Sequence, residues 1–209
     1  MFHSVDGADL NIFVKPARII IAGASGSGKS FFVSNLLQKY SFKFSRITVI
    51  GSNLENCENL NITRNDNYNP LTDDDLTSNS LIIYDDIIYN KSVMAQAAEV
   101  FLRGRHKGIS AILITQNAFL NNDNYRIVSL NTTHMVLFRC RDLRQIQLTG
   151  KTFLPDSQIK SFLDLYRRIV VNSKYNYILC DFSKFSDSPL MLRTNIVGDN
   201  GYERAFLLQ

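Results

Sequence analysis

The sequence predicts an α/β fold: a mainly parallel central sheet flanked by helices. Three observations predict it. Short β-branched apolar runs alternate with stretches of helical periodicity. A glycine-rich run, GASGSGKS at residues 23–30, stands between the first such strand and the first helix. Polar side chains end two later strands, at LIIYDD and AILITQ.

The elements follow in order. Residues 17–23 (ARIIIAG) form a buried strand ending in glycine. Residues 29–40 place Phe32, Val33, Leu36, Leu37 and Tyr40 at helical spacing. Residues 46–52 (RITVIGS) are a second strand, and 53–80, rich in Asn and Asp, read as loop with little regular structure. Residues 81–86 make the third strand, and 92–104 a helix with Gly104 near its end. Residues 111–116 and 134–139 are the fourth and fifth strands. A short helix is expected from Leu143, and a longer one over 156–170 with Asp156 as its N-cap. Residues 175–182 and 190–197 read as late strands, paired as a hairpin. No repeat, low-complexity tract or linker divides the 209 residues, so one domain is expected, with a core over about 16–150 and a C-terminal extension over about 151–209.

Composition narrows the function classes. Hydrophobic residues make up 45% and charged ones 20%, as in globular domains. Cys57, Cys140 and Cys180 are far apart, and the chain has no CxxC, so no zinc site or disulfide framework is expected. The N-terminus lacks the apolar core of a secretion signal, and no run reaches a membrane-spanning length. The net charge of +4 is unevenly spread. Residues 51–100 are acidic, while 101–151 hold eight basic side chains against two acidic ones, with Arg103, Arg105, Lys107, Arg126 and Arg141 among them. Such a block suits either a solvated face or a polyanion partner.

The run at 23–30 satisfies GxxxxGK[ST], the phosphate-binding P-loop pattern, in its proper context after a strand and before a helix. A loop wrapped around phosphate needs inward-pointing N–H groups, which glycine's dihedral freedom permits. The helix that follows turns its positive end to the anion. Gly23, Ala24, Ser25, Gly26, Ser27, Gly28, Lys29, Ser30 and Phe31 are therefore the expected ATP-binding residues. Lys29 reaches the β- and γ-phosphates, and the Ser30 hydroxyl ligands Mg2+. Asp85, at a strand end beside that loop, is the expected partner to Mg2+. Asp86 is positioned to orient and polarise an attacking water. The amide of Gln116 can bond both γ-phosphate and water. Three motifs on three strand ends suggest the additional-strand (ASCE, RecA-like) class of P-loop NTPase, with strand order 5-1-4-3-2 plus extra C-terminal strands. Arg105 either caps its own helix or reaches a neighbouring subunit's γ-phosphate as an arginine finger, with Arg103 and Arg141 as alternatives.

Several runs resemble the genome-packaging ATPases of double-stranded DNA viruses, a branch of the FtsK–HerA superfamily found in Polinton-like elements, virophages and adenovirus-like or poxvirus-type viruses. These are PARIIIAGASGSGKSFFVSNLL (16–37), LIIYDD (81–86), RGRHKGISAILITQN (103–117), NTTHMVLFRCRDLRQIQL (131–148) and YNYILCDFSKFSDSPLMLRTNIV (175–197). Asp-Asp stands where cellular relatives usually carry Asp-Glu. The resemblance implies a homo-oligomeric ring of five or six subunits at a capsid portal or vertex. There ATP hydrolysis drives double-stranded DNA, without reading its sequence, into a preformed shell. It also implies a location at viral assembly sites in the host cytoplasm or nucleus, or in the virion. The residues alone leave two other readings open: a P-loop small-molecule kinase, and a nucleotide-dependent assembly protein with negligible turnover.

Overall fold

In chain order the strands are β1 (Phe2–Asp6), β2 (Arg18–Ala22), β3 (Arg46–Ile50), β4 (Ile62–Asn65), β5 (Ser80–Asp85), β6 (Ser110–Thr115), β7 (His134–Leu137), β8 (Ile178–Asp181), β9 (Leu192–Thr194) and β10 (Arg204–Leu208). The helices are α1 (Lys29–Tyr40), α2 (Lys91–Arg103), α3 (Asp123–Leu130), α4 (Leu143–Lys151) and α5 (Asp156–Tyr166). This computed structural model describes residues 2–6, 13, 16–51, 54, 57–171, 175–183, 191–196 and 204–208.

The strands form one sheet in the order β1-β10-β9-β8-β7-β2-β6-β5-β3-β4. From β7 to β4 all neighbours are parallel. From β7 to β1 they are antiparallel. The five central strands thus follow the expected 5-1-4-3-2 order, with β6 between β2 and β5. The late hairpin is present as β8 and β9, narrower than the expected ranges; positions 190 and 197 lie outside the described residues.

Alternation along the strands divides the core in two. Ile19 and Ile21 of β2 join α1 through Phe32, Val33, Leu36 and Leu37. Ile20 and Ala22 face the opposite side, with Ala97 and Phe101 of α2, Val128 of α3, Ile146 of α4 and Phe162 of α5. Every residue of β5 and β6 is buried, because both faces are covered. Their continuous apolar runs are the sequence mark of that position.

Several elements differ from these expectations. The stretch 53–80 is not all loop: Ile62–Asn65 pairs parallel with β3. It lies outermost beside β3, and its one apolar residue, Ile62, leaves no alternation to detect. Helix α3 was not expected; Asn122 starts it, its side chain accepting from the Tyr125 N–H at 3.0 Å. Asp156 is the first helical residue rather than the cap; Pro155 occupies the cap position with no side-chain bond. Beyond Tyr166 the helix widens into a π turn over Arg167–Val171. At the C-terminal end β10 adds an unpredicted strand between β9 and β1.

Candidate functional site

The loop at 23–30 leaves β2 between the ends of β6 and β7, and both neighbours fix it. The Gly23 N–H donates to the Thr115 carbonyl at 3.2 Å, and the Ala24 N–H to the Arg139 carbonyl at 2.8 Å. Gly28 enters α1 with φ of 102°, a left-handed conformation that side chains rarely adopt. A Cβ there would lie 2.9 Å from the ring of Tyr175. The Lys29 ammonium donates to the carbonyls of Gly23 at 2.7 Å and Ala24 at 3.0 Å, so it lies across the loop. Burial pushes its pKa down, and the charges of Asp85 and Asp86 oppose that shift.

Asp85 ends β5, opposite Ile114 of β6, and is buried. Asp86 turns out of the strand with φ of 51° and is exposed. Its N–H donates to the Ile114 carbonyl at 3.2 Å, which ties the acidic turn to the end of β6. One residue past that strand, the Gln116 side-chain amide donates to Asp86 Oδ2 at 3.2 Å.

A cleft of about 360 Å3 joins these groups. Ser25, Gly26, Gly28, Lys29, Ser30 and Phe31 line one side, and Asp85, Asp86, Thr115 and Gln116 the other. Of the other expected loop residues, Gly23 and Ala24 supply backbone anchors, and Ser27 turns its N–H to the Ala24 carbonyl at 3.2 Å. The Ser27 hydroxyl is buried without a hydrogen-bond partner. Ordered N–H groups at a helix N-terminus, an ammonium and two carboxylates together suit a polyanionic, metal-bridged ligand such as a triphosphate.

Arg105 is not brought to this cleft. It lies in the short 3-10 turn Gly104–Lys107 that leads into β6. Its charge acts on Arg18, the first residue of β2, and adds to the burial that lowers that guanidinium's pKa. Arg105 therefore sits at the opposite end of the sheet from its own chain's phosphate loop. Arg103, two residues earlier, pairs with Glu99 at 3.0 Å. Arg141, exposed, follows β7 at the loop's end of the sheet.

Three contributors escape sequence reasoning. Tyr175 lines the cleft from the segment before β8. Gly51, with φ of 112°, brings the end of β3 against the Asp85 backbone, where any Cβ would strike the Asp85 carbonyl oxygen. Gln145 of α4 brackets the segment after Gln116: its carbonyl accepts from the Ala118 N–H at 3.0 Å, and its amide donates to Asn117 Oδ1 at 3.2 Å. The glycine after RITVI marks a strand end and nothing more, and the resembling runs that contain Tyr175 and Gln145 give neither residue a role. Only the fold reveals these three.

No family model matches the chain, and no curated protein matches it in sequence. Among solved structures, it is similar to the genome packaging NTPase B204 from Sulfolobus turreted icosahedral virus 2 in complex with sulfate. That match has a TM-score of 0.58 at 14% identity, covering 85% of this chain and 95% of that one. The same viral protein with ATP-γS matches at a TM-score of 0.54 and 15% identity, covering 80% and 92%. The cytoplasmic domain of the Thermomonospora curvata type VII secretion ATPase EccC matches at 0.55 and 16% identity; this chain is covered to 96%, but that one only to 30%. At such identities the likeness is one of fold, and the fold is that of P-loop NTPases.

Proposed function

We propose that this chain is an ATP-hydrolysing motor that translocates double-stranded DNA into a viral procapsid. The observation that carries the reading is the convergence of Lys29, Ser30, Asp85, Asp86 and Gln116 on one cleft at the ends of β2, β5 and β6. The loop amides and the Lys29 ammonium bind the phosphates of ATP. Asp86 accepts a hydrogen bond from the attacking water and raises its nucleophilicity. Gln116 holds that carboxylate, and its amide lies where it can read the γ-phosphate. The Ser30 hydroxyl and the Asp85 carboxylate are oxygen ligands among the residues lining the cleft, a set that fits Mg2+ beside phosphate. When bound, Mg2+ neutralises charge on the outer phosphates.

Two observations support the DNA-moving part. The fold is shared with a viral protein named as a genome packaging NTPase. Basic residues concentrate between 101 and 151, and a motor lumen needs to contact phosphates without reading bases. Arg105 lies far from its own cleft, so its use in hydrolysis requires a neighbouring subunit. That suits a homo-oligomeric ring of five or six at a capsid portal or vertex, in the cytoplasm or nucleus of a host cell.

The test is steady-state hydrolysis of Mg2+-ATP by the wild type and by Asp86→Asn. Loss of the base should lower kcat by about 10² to 10⁴ while ATP still binds. Unchanged turnover in Asp86→Asn would contradict the assignment. Transfer of the γ-phosphate to a nucleotide rather than to water would make the chain a small-molecule kinase. Binding without turnover would make it an assembly protein.

A further inference from the structure

Tyr175 is a bulky residue held at φ of 70°, a conformation that non-glycine residues adopt rarely and at a cost. Its side chain stands against Gly28, the residue that opens α1, and lines the same cleft as Lys29 and Asp85. Yet the residue remains 54% exposed, so burial in the core does not account for the strained backbone. Strain of this kind collects where a side chain must be presented to a ligand.

The sheet order says which part of the ligand that is. The acidic pair and Gln116 sit at the ends of β5 and β6, on one side of β2. Tyr175 precedes β8, on the other side of β2 beyond β7. With the terminal phosphate at the acidic pair, a triphosphate crosses the loop past Gly28 and directs its nucleoside toward β8. Resting on the phosphate-loop reading above, we infer that Tyr175 is the nucleoside-binding residue of this site, its ring offering a stacking face to the base. An aromatic side chain lining the cleft is suited to stack on a flat heterocycle.

The experiment compares two ligands by calorimetry in Mg2+: the non-hydrolysable nucleotide AMPPCP, and inorganic tripolyphosphate, which has no base. Tyr175→Phe should bind both as the wild type does. Tyr175→Ala and Tyr175→Gly should bind AMPPCP about tenfold more weakly and tripolyphosphate unchanged. The glycine variant removes the backbone strain, so its melting temperature should not fall. Alanine and glycine variants that bind AMPPCP as tightly as the wild type would overturn the inference. So would equal losses for both ligands, since the ring would then only shape the loop. A wild type that binds neither ligand would overturn the phosphate-loop reading and this inference with it. Loss of both ligands in Lys29→Ala alone keeps that reading intact while Tyr175 is judged separately.

Discussion

Lys29 carries the charge balance of the cleft. Its ammonium is half buried, bonded to two loop carbonyls and offset by Asp85 and Asp86. Lys29→Ala should therefore abolish measurable triphosphate binding in a direct titration; normal binding by this variant would contradict the loop assignment. Gly51 makes a second prediction at this scale. Gly51→Ala places a Cβ against the Asp85 carbonyl at a φ of 112°. It should cost about 2 kcal/mol or more in chemical denaturation and lower ATP turnover by displacing Asp85. The meeting of Lys29, Asp85, Asp86 and Gln116 in one cleft was legible in the sequence, because phosphate chemistry calls for such residue types at a helix start and at strand ends. Gly51 and Tyr175 were not. Each acts by what its backbone conformation lets it touch, and those partners are distant in sequence.

The elements that hold the site are locked to one another by buried polar contacts. The Tyr166 hydroxyl of α5 donates to the Phe138 carbonyl at 2.7 Å and accepts from the Cys140 N–H at 2.9 Å, fixing the chain as it leaves β7. Tyr166→Phe leaves that N–H unpaired in the interior and should cost about 1–3 kcal/mol, read by thermal or urea unfolding. Across β7 and β8, His134 Nε2 lies 3.4 Å from Asp181 Oδ1, with the Thr133 hydroxyl 2.9 Å from Nδ1. Burial pushes the His134 pKa down from its ordinary 6.5 to about 4; the attraction of Asp181 opposes this, and Arg193 and Arg18 add to it. Below pH 6.5 the unfolded chain takes up a proton that the folded chain refuses until about pH 4. Stability should therefore fall as pH drops through that window, and the fall should be smaller in His134→Gln. An equal fall in both would contradict the assignment. Central strands such as β5 and β6 announced themselves in sequence because they are buried on both faces. β4 did not, since Thr63 and Arg64 face solvent. α3 did not either, since Tyr125 and Val128 are its only buried residues.

At the scale of the whole molecule, the two ends of the sheet carry different side chains. The phosphate loop and its acidic partners occupy one end, and Arg105 the other. Among the described residues no helix is long and apolar enough to cross a membrane. If Arg105 serves a neighbour's cleft, mixing Arg105→Ala with Asp86→Asn subunits should restore part of the activity that each lacks alone. No recovery at any ratio, with both variants assembling, would place the finger elsewhere. Fold class and strand order were readable because alternating runs and strand-end chemistry constrain them together. Which subunit surfaces meet was not readable, because that depends on two chains at once. On the proposed function, hydrolysis takes residues from two neighbouring subunits and is stimulated by DNA. This is tested most directly by ATP turnover per subunit, measured against protein concentration with and without double-stranded DNA. A cooperative rise with concentration is expected, and stimulation by duplex DNA that weakens as salt increases. Specific activity that is flat with concentration and indifferent to DNA would contradict it.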